Sequence, residues 1–200
     1  MELLRAVDEG VLNGFQALHR PWLDRAMLDI SALGGVTVLT LVVVFAVGLL
    51  IALRRRRTAG FVLMAALGGA LMVWSVKNLI GRNRPHVAHP LVVEYSKSFP
   101  SGHSMLSAVI YLTLALIAAA VIPGRRVRAY VIGTSLLLAG LVGVSRMYLG
   151  VHFFTDVVAG WSAGLAWALL CRWIEYHLVL RAERRSAALT DELVDALKDQ

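Results

Sequence analysis

Cysteine is nearly missing from this chain. Cys171 stands alone, which excludes an internal disulfide, and its apolar surroundings make it a small buried hydrophobe. Also missing is the uninterrupted apolar core that a secretory signal carries, because Asp8 and Glu9 fall where that core belongs. The first residues are therefore not expected to be a cleaved leader. Acidic residues are the scarcer charge, 13 against 20 Lys and Arg, leaving a net +7. Such a balance suits nucleic acid, but the arginines gather in short bursts between apolar runs, where a membrane protein keeps its cytoplasmic charge. Nucleic acid is accordingly not an expected partner.

What the chain has in quantity is hydrophobicity. Its 58% hydrophobic content and mean hydropathy of +0.69 exceed the roughly 45–50% apolar share of soluble domains. The length of 200 residues fits one domain. Segments 31–53, 58–80, 103–122, 127–148 and 154–174 are each long and apolar enough to cross a bilayer, since a span needs about 20 residues at 1.5 Å rise. The expected fold is all-α: a polytopic membrane bundle of about five transmembrane helices preceded by an amphipathic N-terminal helix. That helix is indicated by Leu4, Val7, Val11, Phe15 and Leu18, which fall at helical spacing. It either lies on the bilayer surface or caps the bundle. Residues 21–30 form a separate short helix or extend the first span, with Gly34 and Gly35 as a plausible break.

The expected organisation is an interfacial segment over 1–30, a membrane domain over 31–180 and a charged cytoplasmic tail over 181–200. Gly68, Gly69, Ala70, Gly140, Gly143, Gly160 and Gly164 are small residues that let helices approach closely in lipid. Trp74, Trp161, Trp167 and Trp173 read as lipid-edge or packing aromatics. The basic bursts at Arg54–Arg57, at Arg125, Arg126 and Arg128, and at Arg181, Arg184 and Arg185 share one side of a five-span layout, which makes that side cytoplasmic. Lys77, Arg82, Arg84 and Arg146 fall at the opposite ends, against that rule, and so call for a function.

Three clusters supply it. His152 and Asp156 are four residues apart at the mouth of the last span, so on a helix they share a face. A carboxylate there accepts the hydrogen bond of one imidazole N–H and leaves the other nitrogen as a nucleophile, although Asp156 also suits a simple helix cap. Pro100, Ser101, Gly102 and His103 open the third span, where free N–H groups and the helix dipole favour an anion. Ser101 adds a hydroxyl and His103 a proton for a leaving group; the bland alternative is a turn. Lys77, Arg84 and Arg146 end spans or sit in the adjoining loop, as phosphoryl-binding cations or as snorkelling side chains. His86, His89 and Glu94 in the 81–102 loop are solvent-facing or head-group-contacting, and the two histidines, three apart, are also a weak metal look-alike.

Taken in order, Lys-x6-Arg-Pro, Pro-Ser-Gly-His and Ser-Arg-x5-His-x3-Asp resemble the signature of the type 2 phosphatidic acid phosphatase family, which includes vanadium haloperoxidases and glucose-6-phosphatase. The stretch from Arg146 to His152 is similar to its bacterial lipid phosphatases, among them those acting on phosphatidylglycerophosphate and undecaprenyl diphosphate. The membrane members of that family commonly have six spans, one more than expected here. The resemblance implies that His152 is the nucleophile of a phosphohistidine mechanism, that Asp156 supports it, and that His103 protonates the leaving group and then activates water. Lys77, Arg84, Ser101, the Gly102 amide and Arg146 then hold the phosphoryl oxygens. It also implies no cofactor and no metal, with cations in that role. The expected partner is a lipid phosphate or diphosphate at the outer face of a bacterial-type cell membrane, with the C-terminus cytoplasmic. Transfer of the phosphoryl group to a lipid or sugar hydroxyl is the second enzymatic reading, and a scaffold or transporter is the third. A vanadium haloperoxidase is not expected, since those are soluble.

Overall fold

The computed structural model describes residues 2–87 and 90–198, with side chains described as far as residue 179. His89 and the side chains of Arg181, Arg184 and Arg185 lie outside the described residues. Seven helices are formed by the described residues: α1 (Glu2–Gln16), α2 (Pro21–Ala32), α3 (Val36–Ala52), α4 (Arg56–Ile80), α5 (Gly102–Val121), α6 (Arg125–Tyr148) and α7 (Phe154–Lys198). The described residues contain no strand. This is the expected all-α bundle.

Four helices, α4 to α7, are long and apolar enough to span a membrane, and α2 with α3 forms a fifth candidate bent by 42°. The first expected span therefore needs correcting. Ser31 belongs to α2, and the apolar helix starts only at Val36. Pro21 opens α2 at a first-turn position, where its missing N–H costs nothing. The break at Gly34 has a packing cause: a Cβ there would collide with Val142 and stand 3.3 Å from the backbone oxygen of His103. The expected boundary between residues 30 and 31 falls inside α2. At the other end α7 runs on beyond residue 174 as one helix to Lys198.

Helix α5 is the centre of the bundle, packed on α3, α4, α6 and α7. Met105 and Val109 are fully buried on it and meet Leu39 and Val43 of α3, Val62, Ala65 and Val73 of α4, and Cys171 of α7. Small residues bring these helices together. On α7, a Cβ at Gly160 would lie 2.8 Å from the Ser101 carbonyl oxygen, and one at Gly164 2.6 Å from that of Met105. Thus α7 rests almost backbone to backbone on the first turns of α5. Gly68 and Gly143 are covered by the rings of Trp167 and Trp161, whose indole N–H groups donate to Ala65 O and Ala139 O at 2.9 Å each. Trp74 and Trp173 are exposed on the outer surface, the lipid-edge alternative. Gly140, by contrast, faces open space.

This up-and-down arrangement collects one end of the bundle from four helices: the C-termini of α4 and α6 and the N-termini of α5 and α7. Helix α4 stops at Gly81, whose φ of 62° is left-handed and whose N–H closes on Lys77 O at 3.0 Å. Helix α1 lies across this end. Phe15 packs with Leu23, Met27 and Val92 on the turn formed by Tyr148, Leu149 and Val151.

Candidate active site

His152 sits in the turn between α6 and α7 and is 2% exposed. Its Nε2 lies 3.2 Å from Arg84 Nη1. A guanidinium only donates, so Nε2 is the accepting nitrogen and the proton belongs on Nδ1. That nitrogen faces Asp156 Oδ2 at 3.5 Å and Ser98 Oγ at 3.4 Å. Burial, opposed by the Asp156 hydrogen bond and reinforced by the Arg84 charge, pushes the His152 imidazole down to about 4. It is neutral at physiological pH, with its free lone pair on Nε2.

Asp156 is fully buried and satisfied on both oxygens. Oδ2 accepts from the Ser98 hydroxyl and from Phe153 N–H at 3.0 Å, and Oδ1 accepts from Arg82 Nη1 at 2.6 Å. The cap and the support for His152, alternatives in the sequence, are one and the same side chain: a carboxylate in the first turn of α7 closes the helix start and faces the imidazole.

The expected anion-binding parts surround this pair. Ser101 is the N-cap of α5; its oxygen accepts from Ser104 Oγ at 2.8 Å and Ser104 N at 3.4 Å, which leaves its own proton to donate. Gly102 begins the helix, and a Cβ there would stand 3.9 Å from Lys77 Cε, so the lysine stem runs beside the amide. Lys77 Nζ donates to Lys97 O. His103, one residue on, stands in the field of the Arg146, Glu94 and Arg84 charges. Arg84 is pinned by Ser96 O at 2.7 Å, Val151 O at 2.8 Å and Ser96 Oγ at 3.0 Å. Arg146, 2% exposed, donates from Nη1 to Ser31 Oγ at 2.7 Å and from Nη2 to Glu94, while its Nε has no partner among the described residues. All eight expected site residues thus gather at one end of the bundle.

Four further residues belong to the arrangement. Glu94, expected only as a loop or head-group residue, sets one oxygen on Arg146 and the other 3.8 Å from Arg84 Nη2. Burial raises its carboxyl, but the charges of Arg146 and Arg84 outweigh that and hold it below the usual carboxylate range. Ser98 bridges Asp156 and His152. Arg82 holds Asp156, donates to Thr155 Oγ1 at 2.7 Å and lies 4.4 Å over the Phe153 ring. Asp8 of α1 accepts from Arg82 Nη2 at 2.7 Å. For Arg82 a sequence signal existed, a cation that runs against the positive-inside rule; for Asp8, a charge in an amphipathic helix, there was none. Above Arg84 opens a cavity of about 550 Å³, lined among others by His86, Glu94, Tyr95, Lys97 and Val151.

Comparison with known proteins places this geometry. Residues 57–179 match the model of the PAP2 superfamily. The chain is 36% identical over 167 residues to phosphatidylglycerophosphatase B of Bacillus subtilis, covering 81% of this chain and 80% of that protein. It is 30% identical over 124 residues to an undecaprenyl-diphosphatase of Sulfolobus acidocaldarius, covering 58% of this chain and 55% of that one. Among solved structures, the transmembrane PAP2-type phosphatidylglycerolphosphate phosphatase from Bacillus subtilis superposes with a TM-score of 0.81 at 32% identity, over 88% of each chain. Aquifex aeolicus LpxE shares the fold, with a TM-score of 0.66 at 23% identity over 83% of this chain and 94% of that one. The buried His–Asp pair, the cations around it and the helix bundle that carries them are those of a multi-pass membrane protein, and the chain belongs to the PAP2 superfamily.

Proposed function

We propose that this protein is a membrane lipid phosphatase that hydrolyses a lipid phosphate or diphosphate through a phosphohistidine. The observation that carries the reading is His152: a neutral imidazole with Nδ1 against Asp156 and Ser98 and Nε2 beneath the Arg84 guanidinium. In the first step the Nε2 lone pair attacks phosphorus, and the bond to the ester or anhydride oxygen breaks. His103 protonates the departing oxygen. Asp156 offsets the positive charge that forms on the imidazole. In the second step His103 takes a proton from water, whose oxygen attacks phosphorus, and the P–N bond breaks to return neutral His152 and release phosphate.

Arg84, Arg146, Lys77, the Ser101 hydroxyl and the Gly102 amide hold the non-bridging oxygens, aided by the N-terminus of α5. For Arg146 and Arg84 this means exchanging the Glu94 carboxylate for a phosphoryl oxygen. His86, Lys97 and Tyr95 line the cavity that receives the polar part of the substrate. The relatives' names point to phosphatidylglycerophosphate or undecaprenyl diphosphate, with phosphatidic acid a third lipid of the same chemistry. The basic links that begin α4 and α6 lie at the end away from the site. By the positive-inside rule the site then opens at the outer, periplasmic face of a bacterial inner membrane, with the C-terminus cytoplasmic.

The test is phosphate release by detergent-purified protein from those three lipids and a soluble phosphate ester, with His152→Ala as control. Release from one lipid that the control lacks supports the reading. Phosphate appearing only on an added lipid or sugar hydroxyl replaces it with phosphotransfer.

A further inference from the structure

Helix α1 carries an inverted pattern. Leu3, Leu4 and Val7 are exposed, while its one buried side chain is a carboxylate, Asp8, at 2% exposure. A buried charge is costly unless it is paired and hydrogen-bonded, and Asp8 is both. Oδ1 accepts from Thr155 N–H at 2.9 Å, a free donor in the first turn of α7, and Oδ2 accepts from Thr155 Oγ1 at 2.8 Å and from Arg82 Nη2 at 2.7 Å. Every partner of Asp8 leads to one atom group. Thr155 is the neighbour of Asp156 in the chain, and Arg82 donates to Asp156 Oδ1 at 2.6 Å.

We infer that Asp8 is a positioning residue for the catalytic pair: through Arg82 and Thr155 it sets the placement of Asp156 and, through it, of His152. The role rests on the phosphatase reading above. Its physical basis is the sharing of one guanidinium between two carboxylates. With Asp8 present, Nη2 of Arg82 is engaged and only Nη1 reaches Asp156, so Oδ2 stays with Ser98, Phe153 N–H and the imidazole. Without that charge, Nη2 loses its acceptor, and a guanidinium favours two parallel bonds to one carboxylate. Arg82 would then close on both oxygens of Asp156 and draw it from His152. The N-terminal helix is by this account part of the reaction machinery, though it touches no reacting atom.

The experiment compares Asp8→Asn, which keeps the shape and an acceptor for Thr155 N–H, with Phe15→Ala, which loosens α1 only through apolar packing on the Tyr148 turn. Asp8→Asn is expected to lower kcat roughly 10- to 100-fold, as small misplacements of reacting groups do, with KM within about twofold. Phe15→Ala is expected to lower the melting temperature in detergent at least as far while keeping kcat. The role is overturned if Asp8→Asn turns over like the parent, or if both variants lose kcat in step with their melting temperatures. Absence of turnover in the parent protein overturns the phosphatase reading, and this role with it.

Discussion

Arg84 Nη1 lies 3.2 Å from Nε2 of His152, the same nitrogen whose lone pair the proposed chemistry uses. In the proposed mechanism the guanidinium masks this nitrogen before substrate arrives. Once a phosphoryl oxygen takes the guanidinium, the lone pair is uncovered with phosphorus beside it. The contact thus fixes the tautomer and couples phosphate binding to nucleophile exposure, and several outcomes follow from the groups around it.

The pH response of the nucleophile has a definite sign. Burial lowers the His152 value to about 4, so the neutral form persists as pH falls through the ordinary histidine range near ~6.5 and is lost only around the lowered value. A nitrogen-labelled histidine spectrum of the substrate-free protein, with His152→Ala for assignment, is expected to show this imidazole titrating near the lower figure. A His152 resonance that titrates near ~6.5 contradicts the burial argument.

Glu94 stands where an anion is wanted. Removing its charge leaves Arg146, with Nε already unpartnered, and Arg84 short of a counter-charge. Glu94→Gln is expected to bind inorganic phosphate or vanadate roughly fivefold more tightly, equivalent to about 1 kcal/mol. Inhibition constants measured on both proteins check it, and weaker inhibition of the variant would mean that Glu94 positions the arginines instead.

Ser98 gives its proton to Asp156 and its oxygen faces His152 Nδ1. A hydrogen bond to a charged group contributes about 1.5–3 kcal/mol, so Ser98→Ala is expected to lower kcat about tenfold or more. KM is expected to stay near the parent value, because Ser98 touches no phosphate-binding cation. Steady-state kinetics on the preferred lipid give both numbers.

Close approach of α7 to α5 sets the distance between the two histidine-bearing helix starts. A Cβ at Gly164 meets the Met105 carbonyl oxygen at 2.6 Å, and backbone cannot yield cheaply. Gly164→Ala is expected to destabilise the protein by about 1–3 kcal/mol, visible as a lower melting temperature in detergent. Gly140→Ala, inside α6 and facing open space, is expected to leave the melting temperature unchanged or raise it, because alanine favours the helix.

The bundle and the motif-bearing residues were legible in the sequence because their signals are local. Long apolar runs mark the spans, and Lys77, Arg84, His103, Arg146, His152 and Asp156 occupy helix ends or the links beside them, where such side chains stand out. Gly34 and Gly35 even marked the break between α2 and α3. Ser98, Arg82 and Asp8 were not legible in the same way. Each acts across 58 to 147 positions of chain: the 81–102 loop brings Ser98 and Arg82 to Asp156, and the packing of α1 over the start of α7 brings Asp8 to Arg82 and Thr155. Asp8 even argued the other way: a charge in an amphipathic helix reads as a solvent-facing residue until the helix is seen to turn that face inward. Glu94 was visible as a loop residue, but its position between two arginines depends on the fold of the 81–102 loop.

The phosphohistidine is the central claim, and trapping it is the most direct test. Protein mixed briefly with phosphate-labelled lipid and quenched in alkali is expected to carry acid-labile label on the peptide that contains His152, and none in His152→Ala. Turnover by the parent protein with no trapped label, or equal labelling of the His152→Ala variant, would contradict the account.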